Sequence, residues 1–391
     1  MFVINEITCE KIVIHYIIYK NTERYRGRGN LLNQSKEIIR LKKNTRNTLL
    51  LLVTMLLLAS WLRFVMPKSV KLERESYKLG TVVRLTVYGT DEAILEKTVN
   101  EVMEEITRYE NIFSVNIPTS EISKINDAPQ TNVRVSTETV DAIIDSLKFA
   151  EETDGMFDPT IGPIVRLWRI GTEHARVPEK EEIDKALSYV DYKEVSVKGN
   201  MVRTGEKQKL DLGGIAKGWI TDRLTEKLKK DGIHSALIDL GGNIAVIGKA
   251  PKGPTWRLGL QHPNKSRGEY FAVVNAMNTS VVTSGPYERF FEKNNVRYHH
   301  IFDPFSGYPA NSDLASVTIV SKNSGQADAL CTALFVMGQK KSLEFLDAHK
   351  DIQAVLVAKD AKKVFLTAGL KNSITIKDTS MTVEVIGDFK N

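Results

Sequence analysis

One short segment combines residues that could bind a phosphate group. Asp211-Leu-Gly-Gly-Ile-Ala-Lys-Gly218 runs from the end of an apolar strand, through a Gly-Gly pair, into the start of an amphipathic helix. This order gathers backbone N–H groups and a helix N-terminus at one point, which favours an anion. Lys217 lies in the first helical turn, where the helix dipole disfavours a cation unless an anion is close. A tight turn followed by an ordinary helix with a solvated lysine explains the segment equally well.

A second segment could hold a metal ion. A helix is predicted from Ser324, as N-cap, to a stop at Gly338. Asp328 and Thr332 are four residues apart and therefore share one face of this otherwise apolar, small-residue helix. A carboxylate and a hydroxyl are hard oxygen ligands that suit Mg²⁺. For this segment alone the favoured alternative is that Asp328 complements the helix N-terminus while Thr332 bonds a backbone carbonyl.

Three further segments could contribute to a site, although each also has an ordinary explanation. Gly155-Met-Phe-Asp-Pro-Thr160 places a carboxylate and an aromatic ring in a turn, as turns without any site often do. Thr283-Ser-Gly285 could present hydroxyl and N–H groups to an anion, or could simply end a strand. In Tyr298-His-His-Ile-Phe-Asp-Pro304 the two histidines would point to opposite faces of a strand, so that at most one faces a given site.

The elements that must position these residues are strands in runs and irregularly interspersed helices. Lys78–Tyr88 alternates as a half-buried strand, whereas Asp91–Phe113 and Thr137–Glu152 repeat apolar residues at helical spacing. Further strands are predicted at Glu194–Val197, Met201–Thr204, Ala236–Leu240, Ile244–Gly248, Arg257–Gln261 and Phe271–Val274. The helix after the glycine corner has its apolar side at Ile215, Trp219, Leu224 and Leu228. This order predicts an α+β class with mixed or antiparallel sheets, not a doubly wound fold.

The N-terminal region predicts a membrane anchor. Residues 47–62 carry no charge, and apolar residues up to 66 extend the run, which is a little shorter than the ~20 residues that span a bilayer. The first 46 residues hold 10 Lys or Arg against 4 Glu, which favours a cytoplasmic N-terminus. We therefore predict a basic cytoplasmic segment over 1–46, a transmembrane or signal-anchor helix over 47–66 and one extracytoplasmic domain over 67–391. A later translation start near Leu41 would instead leave a signal-like segment.

Charge and cysteine content exclude several classes of protein. The excess of positive charge lies in the N-terminal region and the remainder is close to neutral, which argues against nucleic acid as the main ligand. Cys9 and Cys331 are too few for a thiolate metal site or a disulfide framework. The sequence has no Walker A pattern and no Gly-x-Gly-x-x-Gly fingerprint, so the ATPase and Rossmann dehydrogenase interpretations lack their basic feature.

Together the segments resemble the ApbE-type flavin transferases, the FAD:protein FMN transferases. The resemblance covers roughly residues 75–360 and rests on seven motifs in one order. They are FSVNIPTSEISKIN (Phe113–Asn126), DGMFDPTIGP (Asp154–Pro163), DLGGIAKG (Asp211–Gly218), LIDLGGNIAVIG (Leu237–Gly248), TSGPYERFF (Thr283–Phe291), HHIFDPFSGYP (His299–Pro309) and ADALCTALFVMG (Ala327–Gly338). The resemblance implies an exported domain that binds FAD and Mg²⁺, splits the pyrophosphate and releases AMP. FMN would pass through a phosphoester to a Thr or Ser of a redox partner protein.

The resemblance also implies roles for individual residues. The metal would be held by Asp328, Thr332 and the backbone carbonyl of Gly214. The flavin nucleotide would be lined by Met156, Phe157, Asp158, Asp211, Lys217 and Ile301. His300 and Lys217 would be catalytic, His300 as general acid or base for the acceptor hydroxyl.

Two departures from the family pattern are visible. The family usually has a Thr-aromatic pair after Phe-Ser, with the aromatic near the flavin ring, whereas Val115 and Asn116 stand here. Stacking on the isoalloxazine must therefore come from elsewhere or be weaker. No cysteine stands directly after the apolar N-terminal run, so a lipoprotein is excluded and the predicted anchor would substitute. Two rival functions stay open: an FAD pyrophosphatase that yields FMN and AMP, and a non-enzymatic, membrane-tethered flavin-binding module.

Overall fold

The computed structural model of the protein describes residues 31–65, 69–266 and 268–386. The chain divides into two compact units, Met1–Lys68 and Ser69–Asn391. The described part of the first unit is one helix, α1 (Leu31–Val65), which contains the uncharged run. Among the described helices, none combines the length and apolarity needed to cross a membrane, so the predicted spanning helix is not confirmed. Residues 1–30 of the predicted basic segment and residue 66 of the predicted anchor lie outside the described residues.

The second unit contains seven described α-helices and two short 3₁₀ turns. The helices are α2 (Glu92–Phe113), α3 (Glu121–Asp127), α4 (Thr137–Glu152), α5 (Gly162–Trp168), α6 (Lys180–Leu187), α7 (Ala216–Lys230) and α8 (Ser324–Ala348). Asp91 and Ser136 cap α2 and α4 through their side chains, so both helices begin where the sequence predicted. The N-cap of α8 is Asn323, not Ser324, because the Asn323 side chain accepts the N–H of Gln326. The predicted stop at Gly338 is a break with non-helical backbone, after which helix continues to Ala348.

The strands of the described residues form one large sheet and three small ones. They are β1 (Val70–Lys78), β2 (Thr81–Gly89), β3 (Val133–Arg134), β4 (Ser196–Lys198), β5 (Met201–Arg203), β6 (Ser235–Leu240), β7 (Asn243–Ile247), β8 (Trp256–Gln261), β9 (Tyr270–Ala276), β10 (Thr279–Ser284), β11 (Phe290–Lys293), β12 (Val296–His299), β13 (Leu314–Ser321), β14 (Gln353–Ala358), β15 (Lys363–Thr367), β16 (Ile374–Ile376) and β17 (Thr382–Ile386). The large sheet has the order β1-β2-β6-β7-β10-β13-β14-β15-β17. Its pairs are antiparallel except β15 with β17, which is parallel. The predicted α+β class with a mixed sheet is therefore confirmed.

One strand prediction needs correction at its start. The segment Lys78–Tyr88 does not form one continuous strand, because Leu79 and Gly80 make a two-residue turn between β1 and β2. Both turn residues have positive φ, 53° and 67°, which is the backbone of a type I′ hairpin. Leucine seldom adopts positive φ, so the residue types at 79 and 80 did not indicate this turn.

The two faces of the large sheet are covered by different elements. Val281 and Val282 are neighbours in β10 and belong to different apolar clusters, as alternation along a strand requires. Val281 packs with the three-stranded sheet β8-β9-β16, whereas Val282 packs with α8. Helix α8 also lies against α7, and α7 packs on α2. The residues with candidate chemistry are thus carried by the helical layer and by the loops next to it.

Candidate active site

The close approach of α7 and α8 depends on Gly218. A Cβ atom at this position would overlap the carbonyl oxygen of Ser324 and lie 2.8 Å from Cβ of Asp328. Only glycine therefore allows the first turn of α7 to approach α8 at this distance. As a result, Lys217 and Asp328 become neighbours although 110 residues separate Gly218 from Asp328.

Asp328 is the most buried carboxylate of the site and has two protein partners. Its Oδ2 accepts the backbone N–H of Gly218 at 3.0 Å, and its Oδ1 lies 3.6 Å from Nζ of Lys217. Burial raises the pKa of Asp328, while the charge of Lys217 and the N–H of Gly218 oppose that rise. Lys217 therefore has an anionic partner within the protein, the Asp328 carboxylate, whereas its contact with a phosphate stays a prediction. The Lys217 side chain keeps 27% of its surface exposed, so it can also reach a ligand.

Thr332 and Gly214 lie next to this pair. Thr332 Oγ1 donates to the carbonyl oxygen of Asp328 at 3.3 Å, as in the ordinary interpretation of this helix. A Cβ placed on Gly214 would be 3.4 Å from Thr332 Oγ1 and 3.0 Å from the ring of Phe157. The structure thus brings the three predicted metal-binding residues, Asp328, Thr332 and Gly214, to one place.

The oxygen atoms at this place fit a hard divalent cation. Among the residues that the structure describes, the backbone N–H that Asp328 accepts goes to Oδ2 and not to Oδ1, and the nearby hydroxyl and carbonyl oxygens are neutral. In the described part of the chain, no cluster of three or more His, Cys, Asp or Glu side chains could hold a metal. A site with one carboxylate and neutral oxygens would leave positions for water, which is the usual environment of Mg²⁺.

The glycine corner before α7 is held by Asp211. The Asp211 carboxylate accepts the N–H of Gly213 at 2.7 Å, and its own N–H donates to the carbonyl of Pro159. Burial raises the pKa of Asp211, and the positive charges of Arg289 and Arg166 act in the opposite direction. The N-cap residue of α7, Ile215, offers no capping side chain, and the Asp328 carboxylate accepts the first-turn N–H of Gly218 instead. The predicted helix after the corner is confirmed, including the burial of Ile215, Trp219, Leu224 and Leu228. The predicted strand before the corner is wrong, because Lys209 makes only an isolated bridge with Ile161 and none of the described strands leads directly into the corner.

The two adjacent histidines point in different directions, as the strand pattern predicted. His299 is buried and packs edge-on against the ring of Phe335. His300 lies beside Arg289 and within the electrostatic reach of Lys217. Desolvation, followed by the charges of Arg289 and Lys217, lowers the pKa of His300 to about 3. His300 is therefore neutral at physiological pH.

The tautomer of His300 follows from its hydrogen bond. Its Nδ1 lies 3.2 Å from the carbonyl oxygen of Arg289. Because a carbonyl can only accept, the proton resides on Nδ1, and Nε2 keeps its lone pair. The ring thus has the protonation state of a general base.

Residues 79–356 match the sequence model of the ApbE family. This match covers more than half of the chain. The chain belongs to the ApbE family. The FAD:protein FMN transferase of Treponema pallidum (strain Nichols) is 34% identical over 329 residues, which are 80% of this chain and 91% of the relative. The FAD:protein FMN transferase of Klebsiella pneumoniae (strain 342) is 36% identical over 286 residues, 72% of this chain and 87% of the relative.

Solved ApbE structures share the fold. The crystal structure of the ApbE protein from Thermotoga maritima has a TM-score of 0.70 at 34% identity and covers 79% of this chain and 98% of that chain. The flavin transferase ApbE from Vibrio cholerae has a TM-score of 0.69 at 26% identity and covers 78% and 99%. The implied α+β fold of the ApbE family is therefore the fold of this chain.

The other residues predicted for an ApbE-type flavin site have protein partners in this structure. Both carboxylate oxygens of Asp158 are used: Oδ1 accepts from N–H and hydroxyl of Thr160, and Oδ2 accepts the N–H of Tyr192. Phe157 is buried, whereas Met156 is partly buried in the same turn. Ile301 is buried against α8. Contacts of these residues with a flavin nucleotide stay a prediction.

Arg289 is a residue that sequence reasoning about the ApbE motifs missed. Its guanidinium donates to the carbonyl of Gly80 at 2.8 Å, and its backbone carbonyl holds both N–H and Nδ1 of His300. A signal for this pairing was available: Asn294 and Asn295 both have positive φ and form the turn of the β11–β12 hairpin. Counting outward from an Asn-Asn turn places Arg289 opposite His300.

Two further groups belong to the helix pair. The Asp222 carboxylate in α7 accepts the N–H groups of Ser324 and Gly325 at 2.8 and 2.9 Å, and thereby fixes the start of α8. Burial raises the pKa of Asp222 to about 6. Cys331, between the two predicted oxygen ligands of α8, donates its thiol to the carbonyl of Val282. Thr283, another sequence candidate, shares a hydrogen bond with Thr318 inside the sheet.

Proposed function

We propose that this chain is an FAD:protein FMN transferase, which moves FMN from FAD to a hydroxyl of a protein. The observation that carries the proposal is the convergence of Asp328, Lys217 and neutral His300 in a chain of the ApbE family. The relatives named as FAD:protein FMN transferases align over most of their own length, which supports the same assignment here.

Cleavage of a phosphoanhydride depends mainly on positioning and on neutralising charge. Lys217 keeps part of its side chain exposed at the start of α7, where its ammonium group could bind a phosphate. The residues that would hold Mg²⁺ are Asp328, Thr332 and the carbonyl of Gly214, and the ion would neutralise charge on the pyrophosphate. Asp211 supports this arrangement by fixing the glycine corner.

His300 would act on the acceptor hydroxyl. Its Nε2 takes the proton while the hydroxyl oxygen of a Thr or Ser bonds to the phosphorus of the FMN half. The bond from that phosphorus to the bridging oxygen breaks, and AMP leaves with the bridging oxygen. Nδ1 stays bonded to the carbonyl of Arg289, which keeps the ring oriented during the transfer.

The test is incubation of the purified full chain with FAD, Mg²⁺ and a candidate extracytoplasmic redox protein. The proposal expects a mass increase of the acceptor by one FMN-phosphoryl group and release of AMP. Free FMN and AMP with an unmodified acceptor would instead identify an FAD pyrophosphatase. Intact FAD after incubation would identify a flavin-binding module and contradict the proposed enzyme.

We also propose that the enzyme is attached to the cell membrane, with residues 67–391 outside the cytoplasm. The support is the uncharged run 47–62 and the basic residues that precede it. Protease added to spheroplasts should then degrade the family domain in the membrane fraction. Recovery of the whole chain in the soluble fraction, protected from protease, would contradict this location.

A further inference from the structure

Phe305 is an exposed aromatic side chain in the loop that follows His300. It keeps 60% of its surface exposed, whereas Phe302 in the same loop is buried. Phe302 and Tyr308 both pack against Trp168, but within the described chain Phe305 has no aromatic partner. Single exposed apolar side chains are common, so exposure alone assigns no role.

The backbone that carries Phe305 is fixed. The carboxylate of Asp303 accepts the N–H of Phe305 at 2.9 Å and the hydroxyl of Ser306 at 2.8 Å. The carbonyl of Gly307 accepts the indole N–H of the buried Trp168 at 2.9 Å. The ring is therefore held in an exposed position by a hydrogen-bonded loop, which reduces the entropy that a ligand contact would cost.

The ring of Phe305 also lies at the edge of the candidate active site. Its Cζ atom is 3.5 Å from the position of a Cβ on Gly155, and Gly155 begins the turn that continues through Met156 to Phe157. Phe157 in turn contacts Gly214 at the corner next to Thr332. A flat ligand that lies over Met156 would thus have Phe305 on one side and the phosphate-binding corner on the other.

We propose that Phe305 forms the aromatic contact for the isoalloxazine ring of FAD. The inference rests on the proposed function, because it names the part of the substrate that this exposed ring would bind. An isoalloxazine is planar and largely apolar, and offset stacking on a phenyl ring buries a face of each. The phosphates of the same molecule would then extend toward Lys217 and the start of α7.

The test compares ligands with and without the flavin ring, in EDTA so that no turnover occurs. Dissociation constants of the full chain are measured for FAD by flavin fluorescence and for ADP by calorimetry. Phe305→Ala is expected to weaken FAD binding about tenfold and to leave ADP binding unchanged, while Phe305→Tyr keeps both affinities. Tyr270→Ala is the matched control, since Tyr270 is 51% exposed in β9 and should not affect either ligand.

The outcomes separate this inference from the proposed function. If the unmodified chain does not bind FAD, the proposed function itself is wrong. If it binds FAD and Phe305→Ala binds FAD equally well, only the role of Phe305 is wrong. Equal loss for FAD and ADP, or a raised KM for the acceptor protein at unchanged FAD affinity, would also overturn the stacking contact, the second by placing the ring against the acceptor.

Discussion

His299 and His300 are neighbours with opposite proton arrangements. His299 accepts the N–H of Ile301 at Nδ1, so its proton resides on Nε2, which donates to the carbonyl of Ala310. His300 donates from Nδ1 to the carbonyl of Arg289. Both ring nitrogens of His299 therefore make hydrogen bonds within the fold, whereas Nε2 of His300 keeps a lone pair that could accept a proton. Strand alternation predicted that at most one of the two histidines would face a given site, and the family resemblance named His300 as that residue.

His300→Asn is expected to lower transfer by about 10²–10⁴-fold, because a positioned base contributes that much. The variant should also change the pH dependence of stability. His300 has a pKa of about 3 when folded against 6.5 ordinarily, so between these values only the unfolded chain binds the proton. Acidification from pH 6.5 toward 3 therefore destabilises the native protein through His300, and this contribution disappears in the variant.

Urea titrations of both proteins at pH 7 and pH 4.5 measure this difference. The stability lost on acidification should be smaller in His300→Asn. An equal loss in the two proteins would contradict the low pKa of His300. Unchanged FMN transfer by His300→Asn at pH 7 would show that His300 has no role in the mechanism.

Asp328→Ala should abolish transfer together with its dependence on Mg²⁺. The loss should be about 10²–10³-fold or more, as for other preorganised electrostatic groups. Asp328→Asn keeps the shape but leaves Lys217 without its carboxylate partner, so it should also lose metal response. Thr332→Val removes only a neutral oxygen and should be the mildest of the three. Transfer at saturating FAD is measured while Mg²⁺ is titrated, and normal turnover of Asp328→Ala would place the metal elsewhere.

At the scale of elements, the helices were easier to predict than the contacts between them. The apolar spacing of α2, α4 and α7 indicates their buried faces directly. The approach of α7 to α8 depends on Gly218 and on the two N–H groups that Asp222 accepts, and no local pattern predicts which distant segment meets a glycine. Asp158 illustrates the same limit, since its donor Tyr192 comes from a separate 3₁₀ turn.

Gly218→Ala tests the contact between the two helices. Its methyl group would overlap the carbonyl of Ser324, so we expect a loss of about 1–3 kcal/mol in the free energy of unfolding. Because Asp328 accepts the Gly218 N–H, transfer should also require more Mg²⁺. Gly325→Ala is the control on the facing helix, since its Cβ would lie at an ordinary 3.5 Å from the Trp219 backbone. Equal stability of the two variants by thermal melting would show that the helices are not in close contact.

At the scale of the whole molecule, the site is assembled from distant parts of the second unit. The glycine corner, the loop after β12 and helix α8 are far apart in the sequence and are brought together by the fold around the nine-stranded sheet. The proposed membrane attachment concerns residues of the other unit, and it is argued from the uncharged run 47–62 and the basic residues before it. The catalytic arrangement therefore depends on the complete fold of residues 69–386, not on one local motif.

FAD binding should stabilise this unit as a whole. FAD at about 100 times its dissociation constant adds about 2.7 kcal/mol to the free energy of unfolding, which raises Tm by several degrees. Thermal melts with and without FAD, in EDTA, measure the shift. Lys217→Ala should reduce the shift, measured relative to the variant's own Tm without FAD, because Lys217 also pairs with the buried Asp328. A full shift in Lys217→Ala would show that Lys217 does not contact the nucleotide.

The buried thiol of Cys331 can be used to measure how often α8 separates from the sheet. The thiol is fully buried, donates to Val282, and has its pKa raised by burial and by the charge of Asp328. An alkylating reagent reacts with a thiolate, so it can modify Cys331 only when α8 separates from β10. When Cys9 is replaced by serine, Cys331 is the remaining cysteine. The alkylation rate then measures how often the helix that carries Asp328 and Thr332 separates from β10. Bound FAD and Mg²⁺ would contact both that helix and the glycine corner, so they should lower the alkylation rate of Cys331.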